Sequence, residues 1–369
     1  MRVLVVTTWF PGPWAPESGI FNLRDVELLA LDHEVTVVHL VPPAQLAQAR
    51  VDRLGRIAVH RVPMSVRSPR SIRRARRYIA ELALEHDLLH SMAISSLLPL
   101  GGTALKLPWV HTEHWSGFLA PETAPVGVRA MGALLARRLK RPDVVVTVSE
   151  ALASAVRLHR DGPTMVIPNH VMVPPVGADL EREQTDHIRL IAVGGIIQRK
   201  GPILAVRVLA GLRARGYPAT LSWIGEGPLR DDVMSTAARL GVADRIELRG
   251  SLSPEEVSRS LLGADVFLLP TEGETFGVSI AEALTHGLSV VVGSRGGQGE
   301  FVGPADGVLV AAQDQELYTD AVIAVVGSRT PATPAEIARR AQQRFAPAFR
   351  RTEYLRAYHL AGDPEGHSA

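Results

Sequence analysis

Short apolar runs alternate with helical periods along the whole chain. Val3 to Val6 form the first run, short enough for one buried strand. A loop rich in Gly and Pro covers residues 9–19. Apolar residues then recur at helical spacing at Phe21, Leu23, Val26 and Leu29, and residues 35–40 read as a second strand. Residues 87–90 read as a strand ending in His90, and residues 108–115 as a strand opening into a polar loop with His111 and His114. Residues 144–149 are a buried strand delivering Ser149, suited to an N-cap, and Glu150, suited to a first helical turn. A further strand runs into Pro168-Asn169-His170, where Asn169 suits a turn with positive φ and His170 adds a titratable group.

Residues 172–186, with Pro174-Pro175 and then Glu181, Glu183 and Asp186, read as an exposed linker. The alternation then resumes, with strands expected at 187–193, 221–224, 245–250, 266–269 and 288–292. Phe345, Phe349, Tyr354 and Tyr358 suggest a final amphipathic helix, and residues 362–366 a tail that frays. Nearly continuous apolar strands separated by helices predict parallel sheets covered on both faces, hence an α/β chain of Rossmann-like units. The dinucleotide fingerprint is missing, because Gly12 and Gly19 lie too far apart for it.

A length of 369 residues suits two domains with separate cores. With 46% hydrophobic and 21% charged residues the chain reads as globular, and a net charge of +2 gives no global bias toward nucleic acid. The lack of cysteine rules out disulfides and thiolate metal sites, which fits a reducing cytoplasm. No stretch approaches the roughly 20 apolar residues that span a bilayer. Arg67, Arg70, Arg73, Arg74, Arg76 and Arg77 form the densest basic run. Such a run reads first as a solvated helix face. The alternative is peripheral contact with an anionic membrane on its inner face, at about 1 kcal/mol per basic residue. Arg137, Arg138, Lys140 and Arg141 keep that alternative open.

The candidate chemistry gathers around residues 274–282. Glu274 follows a buried strand and Pro270, while Glu282 lies over a turn into the next helix, which Gly287 ends. The free N–H groups near Gly277, Val278 and Ser279 occupy the positive end of that helix, where a phosphate can bind. Two glutamates at this spacing alone read as solvated carboxylates. The company they keep changes that: Gly194-Gly195 and Arg199-Lys200-Gly201 follow one strand, and Gly225-Glu226-Gly227-Pro228-Leu229 follows the next.

Taken together, these segments resemble glycosyltransferase family 4, the retaining nucleotide-sugar enzymes of the GT-B fold, over nearly the whole chain. The resemblance implies two Rossmann-like domains with parallel sheets facing a central cleft. An acceptor-binding domain would take residues 1–175 and a nucleotide-sugar-binding domain 176–345. Residues 346–369 would supply a helix crossing back to the first domain, plus the tail. It also implies roles. Glu274 faces the donor sugar and Glu282 the ribose hydroxyls. Lys200 matches the family's phosphate-binding lysine, whereas Gly195 stands where the family has an arginine, and Arg199 is long enough to substitute. His114 matches the histidine that contacts the sugar, with His111 as fallback and Glu113 able to pair with either.

Gly19 matches a glycine near the donor phosphate. Gly194 opens the turn after its strand on the donor side, and Gly225 and Gly227 allow close backbone approach. Ser251, Leu252 and Ser253 offer main-chain groups to the base, and Phe276, Gly277 and Val278 line the donor loop. His170 departs from the family's usual glycine. His114, Glu274 and Lys200 are the expected catalytic residues, and neither a cofactor nor a metal is expected. The donor is expected to be a nucleotide sugar, with UDP favoured over GDP. The acceptor and oligomeric state have no signature. Two rivals remain: a nucleotide-sugar-binding protein without transfer activity, and an enzyme of this fold with an inverted outcome or a non-sugar cyclitol donor.

Overall fold

This computed structural model describes residues 1–15, 18–101, 105–123, 125–180, 186–327 and 332–363. Glu181 and Glu183 of the expected linker, and tail residues 364–366, lie outside them. The chain divides into one unit of Met1–His170 with Pro347–Ala369 and another of Val171–Ala346.

The first unit runs β1 (Arg2–Thr7), α1 (Ile20–Leu29), β2 (Glu34–Val41), β3 (Arg50–Leu54), β4 (Ile57–Pro63) and α2 (Pro69–Ala83). It continues through β5 (Leu88–Met92), α3 (Leu97–Leu100), β6 (Trp109–Glu113), α4 (Val126–Ala136), β7 (Val144–Thr147), α5 (Glu150–Arg157) and β8 (Thr164–Val166). Its sheet has the order β3-β4-β2-β1-β5-β6-β7-β8. Only β3 is antiparallel, pairing with β4 at the edge. β1 sits inside and buries every residue after Arg2, so an uninterrupted apolar run suits it. β3 carries Arg50, Asp52 and Arg53 and stays largely exposed, as a charged edge strand should.

The second unit runs β9 (Ile188–Val193), α6 (Pro202–Ala214), β10 (Ala219–Ile224), α7 (Arg230–Arg239), β11 (Ile246–Gly250), α8 (Pro254–Leu262) and β12 (Val266–Leu269). It continues with α9 (Val278–Thr285), β13 (Ser289–Gly293), β14 (Gly307–Val310), α10 (Gln315–Gly327) and α11 (Pro334–Arg344). Its six parallel strands lie in the order β11-β10-β9-β12-β13-β14. The helix starts follow local chemistry. Ser149 accepts from Leu152 N at the head of α5, and Ser253 and Thr333 close capping boxes with Glu256 and Glu336. Among the described residues no helix is long and apolar enough to cross a membrane.

The last helix, α12 (Pro347–Gly362), belongs to the first unit. Arg350, Tyr354, Ala357, Tyr358 and Ala361 form its buried face, at the spacing of one helical stripe. The tyrosines and both alanines join the core of Val3, Val5, Val37 and Val110. Two aromatics expected on this stripe are elsewhere: Phe349 is exposed, and Phe345 ends α11 in the core of the second unit.

Other expectations are corrected by burial and backbone. The strand at 87–90 does not end at His90 but continues to Met92. His90 is buried mid-strand, bonded to Tyr358 Oη at 2.8 Å and Thr112 Oγ1 at 2.7 Å. Asn169 has no positive φ. Among described non-glycine residues only Ala93 does, at 66°, where β5 ends. The stretch expected to be an exposed linker is exposed at Val173, Pro175, Val176, Gly177 and Asp179, but it begins held to α9. Met172 donates its N–H to Glu282 Oε1 at 3.4 Å, and its carbonyl accepts from Thr285 Oγ1 at 2.7 Å.

Candidate functional site

In the second unit the chain winds outward from β9 through β10 to β11, then returns to the other side of β9 as β12. The crevice at the carboxyl ends of β9 and β12 is therefore the topological switch point, the place where open α/β sheets bind ligands. Lys200 comes from the loop after β9 and Glu274 from the loop after β12, and they meet there. Lys200 Nζ is 2.6 Å from Glu274 Oε1, which also accepts from Thr271 Oγ1 at 2.9 Å and lies 3.5 Å from Arg199 Nη1. Arg199 donates to Gly273 O at 2.5 Å, so its guanidinium braces the acidic loop.

Glu274 is 6% exposed. Burial pushes its carboxyl up, but Lys200 and Arg199 outweigh that and hold it below the ordinary glutamate value. The carboxylate is thus an anion at neutral pH, with fixed position. Its main chain is tied too: Glu274 N donates to Arg295 O at 3.2 Å, and Glu274 O accepts from Gly297 N at 3.0 Å.

Three residues later Gly277, left-handed at φ 92°, stands just before α9, which has no side-chain cap and no acidic residue in its first turn. The positive end of this helix therefore meets no protein carboxylate of its own first turn. Phe276 needs a correction. Its ring is buried against Phe301 and Phe345, at 5.1 and 5.7 Å, so only its backbone is available to a donor. Val278 opens the helix, and Glu282 lies half-buried on it beside Met172 N.

The loops after β9, β10 and β11 are knitted by main chain. Gly194 N donates to Ile224 O at 2.9 Å and Gly225 N to Gly250 O at 2.8 Å. At Gly225 a Cβ would stand 2.2 Å from Gly194 O, so this approach requires glycine. Gly195 is different: a Cβ there would meet nothing nearer than Glu226 O at 3.6 Å. The backbone does not demand glycine where the family has arginine. Ser251 is exposed and Leu252 half-buried beyond β11, and Ser253 is not available as expected because Glu256 takes its N–H at 2.9 Å.

The remaining expected residues lie in the first unit. Gly19 precedes α1 with φ 73°, and a Cβ there would fall 2.3 Å from the Trp9 carbonyl carbon, so only glycine lets α1 start against this loop. His114 follows β6 with its ring against Phe21 at 4.6 Å and a buried Nε2 that has no hydrogen-bond partner among the described residues. Burial drives its pKa down to about 4; Glu113 pulls it back up and His111 and Arg350 push it down. At neutral pH the ring is uncharged, suited to bonding a hydroxyl. The fallback, His111, lies inside β6, fully buried. His170, the titratable group noted where glycine is usual, is pushed to about 4 by burial, Arg350 and Arg24, and so is uncharged at neutral pH.

Sequence reasoning missed Thr271 and Gln298. Gln298 is fully buried and donates to Gly293 O and Arg295 O, shaping the loop that holds Glu274. A polar residue directly after the apolar strand and Pro270, and a lone amide inside a glycine-rich loop, were the available signals.

Two family profiles match the chain, Glycosyltransferase Family 4 over residues 26–173 and Glycosyl transferases group 1 over residues 180–344. A 2-deoxystreptamine glucosyltransferase of Streptomyces kanamyceticus is 25% identical over 335 residues, 85% of this chain and 82% of that protein. A GDP-mannose-dependent alpha-(1-6)-phosphatidylinositol monomannoside mannosyltransferase of Mycobacterium tuberculosis is 28% identical over 354 residues, 87% and 88% of the two chains. Sucrose-phosphate synthase from Thermosynechococcus elongatus superposes with a TM-score of 0.78 at 17% identity over 97% of this chain and 98% of that one. Anabaena HepE in complex with UDP and glucose superposes with a TM-score of 0.73 at 18% identity, covering 96% and 98%.

Proposed function

The chain belongs to glycosyltransferase family 4 and is a glycosyltransferase of the GT-B fold. From that premise we propose that it moves a sugar from a nucleoside diphosphate to an acceptor hydroxyl with retention of configuration. The observation that carries this reading is the buried Lys200–Glu274 pair beside the uncapped start of α9. In it, Lys200 and the N–H groups at Gly277 and Val278 take the diphosphate. Glu274 faces the sugar, Glu282 the ribose, and the main chain at Ser251 and Leu252 the base. His114 bonds a sugar hydroxyl as a neutral imidazole, and Gly19 gives the phosphate and acceptor room.

The bond from the anomeric carbon to the leaving phosphate oxygen breaks, and the acceptor oxygen bonds that carbon on the same face. The acceptor proton passes to the leaving phosphate. Negative charge builds on the phosphate oxygens during this step, and fixed positive charge from Lys200 and α9 stabilises it best when it is greatest. The reading invokes no metal.

Relatives point to two bases, one being GDP-mannose-dependent, while HepE was solved with UDP. Thermal unfolding with UDP-glucose and GDP-mannose separates them. A donor at about 100 times its dissociation constant adds roughly 2.7 kcal/mol. The shift is expected with one base only, and Glu282→Ala is expected to abolish it. A shift with neither removes the donor assignment. Donor binding without hydrolysis or transfer would instead make the chain a binding protein.

For the acceptor side we assign peripheral contact with an anionic lipid surface. Arg67, Arg70, Arg73, Arg74 and Arg77 are exposed on and just before α2, whose other face buries Ala75, Ile79 and Ala83. At about 1 kcal/mol per basic residue, reversing Arg73, Arg74 and Arg77 to Glu is expected to weaken sedimentation with phosphatidylglycerol vesicles by at least tenfold. Equal sedimentation of both proteins would return α2 to a solvated face.

A further inference from the structure

We infer that Glu113 is a positioning residue that fixes His114, through a buried chain running Trp109, Ser91, His111, Glu113. The inference rests on the sugar-contact role given to His114 above. Trp109, His111 and Glu113 alternate along β6 and so share one face, and Ser91 is the β5 residue paired with His111. Trp109 Nε1 donates to Ser91 Oγ at 2.8 Å, Ser91 Oγ lies 2.8 Å from His111 Nδ1, and His111 Nε2 lies 3.2 Å from Glu113 Oε2. Ser91, His111 and Glu113 are fully buried.

The donors order themselves along this chain. A carboxylate can only accept, so His111 Nε2 carries the proton facing Glu113. With the Nε2 tautomer, Nδ1 accepts, and the Ser91 hydroxyl donates to it while accepting from Trp109. Every polar atom in the line then has its partner, the condition under which a buried polar network rigidifies its surroundings.

The other carboxylate oxygen does the positioning. Glu113 Oε1 accepts the backbone N–H of His114 and of Trp115, both at 2.8 Å. These are the next two N–H groups after the last residue of β6, and the carboxylate takes them out of the sheet. The turn this forces places the His114 ring on Phe21 with Nε2 unpartnered. A charged acceptor taking three donors makes stronger hydrogen bonds than a neutral one. Ser91, His111 and Glu113 resemble a nucleophile–base–acid series only in composition, since full burial denies them a substrate.

The test needs no substrate. In the full chain labelled with 13Cε1-histidine, the His114 signal is assigned by its loss in His114→Gln. Glu113→Gln keeps the size of the side chain, but its NH2 must face either the two backbone N–H groups or His111 Nε2–H. The His114 signal is expected to shift or split, while those of His187 and His286 in the second unit stay in place. Ser91→Ala leaves the carboxylate charge untouched and is expected to move His114 in the same direction by less. It carries the test should Glu113→Gln fail to fold. A His114 signal unmoved in both variants overturns the inference. Movement in Glu113→Gln alone reduces Glu113 to a nearby charge and overturns the chain. Hydrolysis of UDP-glucose or GDP-mannose that survives His114→Gln instead removes the catalytic reading of His114 and leaves the positioning intact.

Discussion

Glu274→Ala is expected to lower transfer at least a hundredfold and to destabilise the second unit by about 3–5 kcal/mol. The stability loss follows from what remains. Lys200 and Arg199 side chains are only 14% and 20% exposed, and both face Glu274. Removing the anion leaves two largely buried cations near one another, with Thr271 Oγ1 also losing an acceptor. Glu274→Gln keeps the volume and separates the two effects. It is expected to retain more stability and recover little activity, because an amide neither balances Lys200 nor stabilises positive charge on the sugar ring.

The pH dependence has a definite sign. Glu274 has a folded carboxyl held below its unfolded value by Lys200 and Arg199 against the pull of burial. Its contribution is therefore full above the unfolded value and is lost as pH falls through the folded one. Urea midpoints of the wild type should drop across that acidic range, and those of Glu274→Gln should drop less. Equal slopes would mean that the pair contributes nothing to stability. A Glu274→Ala protein that still transfers sugar at the wild-type rate would remove the carboxylate from the mechanism.

The second large effect is expected at Arg350. This arginine is 2% exposed, forms an ion pair with Asp25 of α1 and donates to Pro168 O at 2.9 Å. Tyr354 donates to the other Asp25 oxygen at 2.9 Å. Arg350→Met leaves the Asp25 carboxylate buried without its cation, which typically costs about 3–5 kcal/mol. Helix α12 is expected to lose hydrogen-exchange protection first, since this pair and Tyr358 on His90 are buried polar anchors of the helix, beside the exposed Arg351–Asp32 pair.

Acid should soften the defect. Burial already pushes Asp25 up, with Arg350 and Tyr354 pulling it down only in part. Without Arg350 the folded pKa rises further above the unfolded one. The folded state then binds the proton more tightly, so the penalty is present at neutral pH and disappears as pH falls below the unfolded value. Replacing both partners by apolar residues, Asp25→Leu with Arg350→Met, is expected to recover most of the stability. A double variant as unstable as the single one would show that the packing of α12, not charge, is at stake.

How much of this was legible in the chain varies with the range of the interaction. Apolar runs such as Val3–Val6 and Val290–Val292 announce strands buried on both faces, since only parallel sheets under helices tolerate such runs. Ser149 announced its helix because a cap bonds a residue three positions away. The spacing from Glu274 to Glu282 placed one carboxylate in a loop and the other on a helix, again from local rules.

Pairing across the fold had no such signal. Lys200 and Glu274 are 74 residues apart and meet because β9 and β12 are adjacent where the sheet reverses. Phe276 stood in a promising loop, yet the aromatic core of Phe301 and Phe345 claimed its ring. Phe349 kept helical spacing but faced solvent, because the buried stripe of α12 runs through its neighbour Arg350 and through Tyr354 instead. Sequence alone thus marked the strongly apolar strands and the capped helices and which residue types reach their ends, as these depend on neighbours within a few positions, but it did not mark β3, β4, β14 or α10. Tertiary structure alone decided which of those residues touch and which are charged. Contact and burial are set by strand order and by side chains distant in the chain, and both shift a proton equilibrium far more than sequence neighbours do.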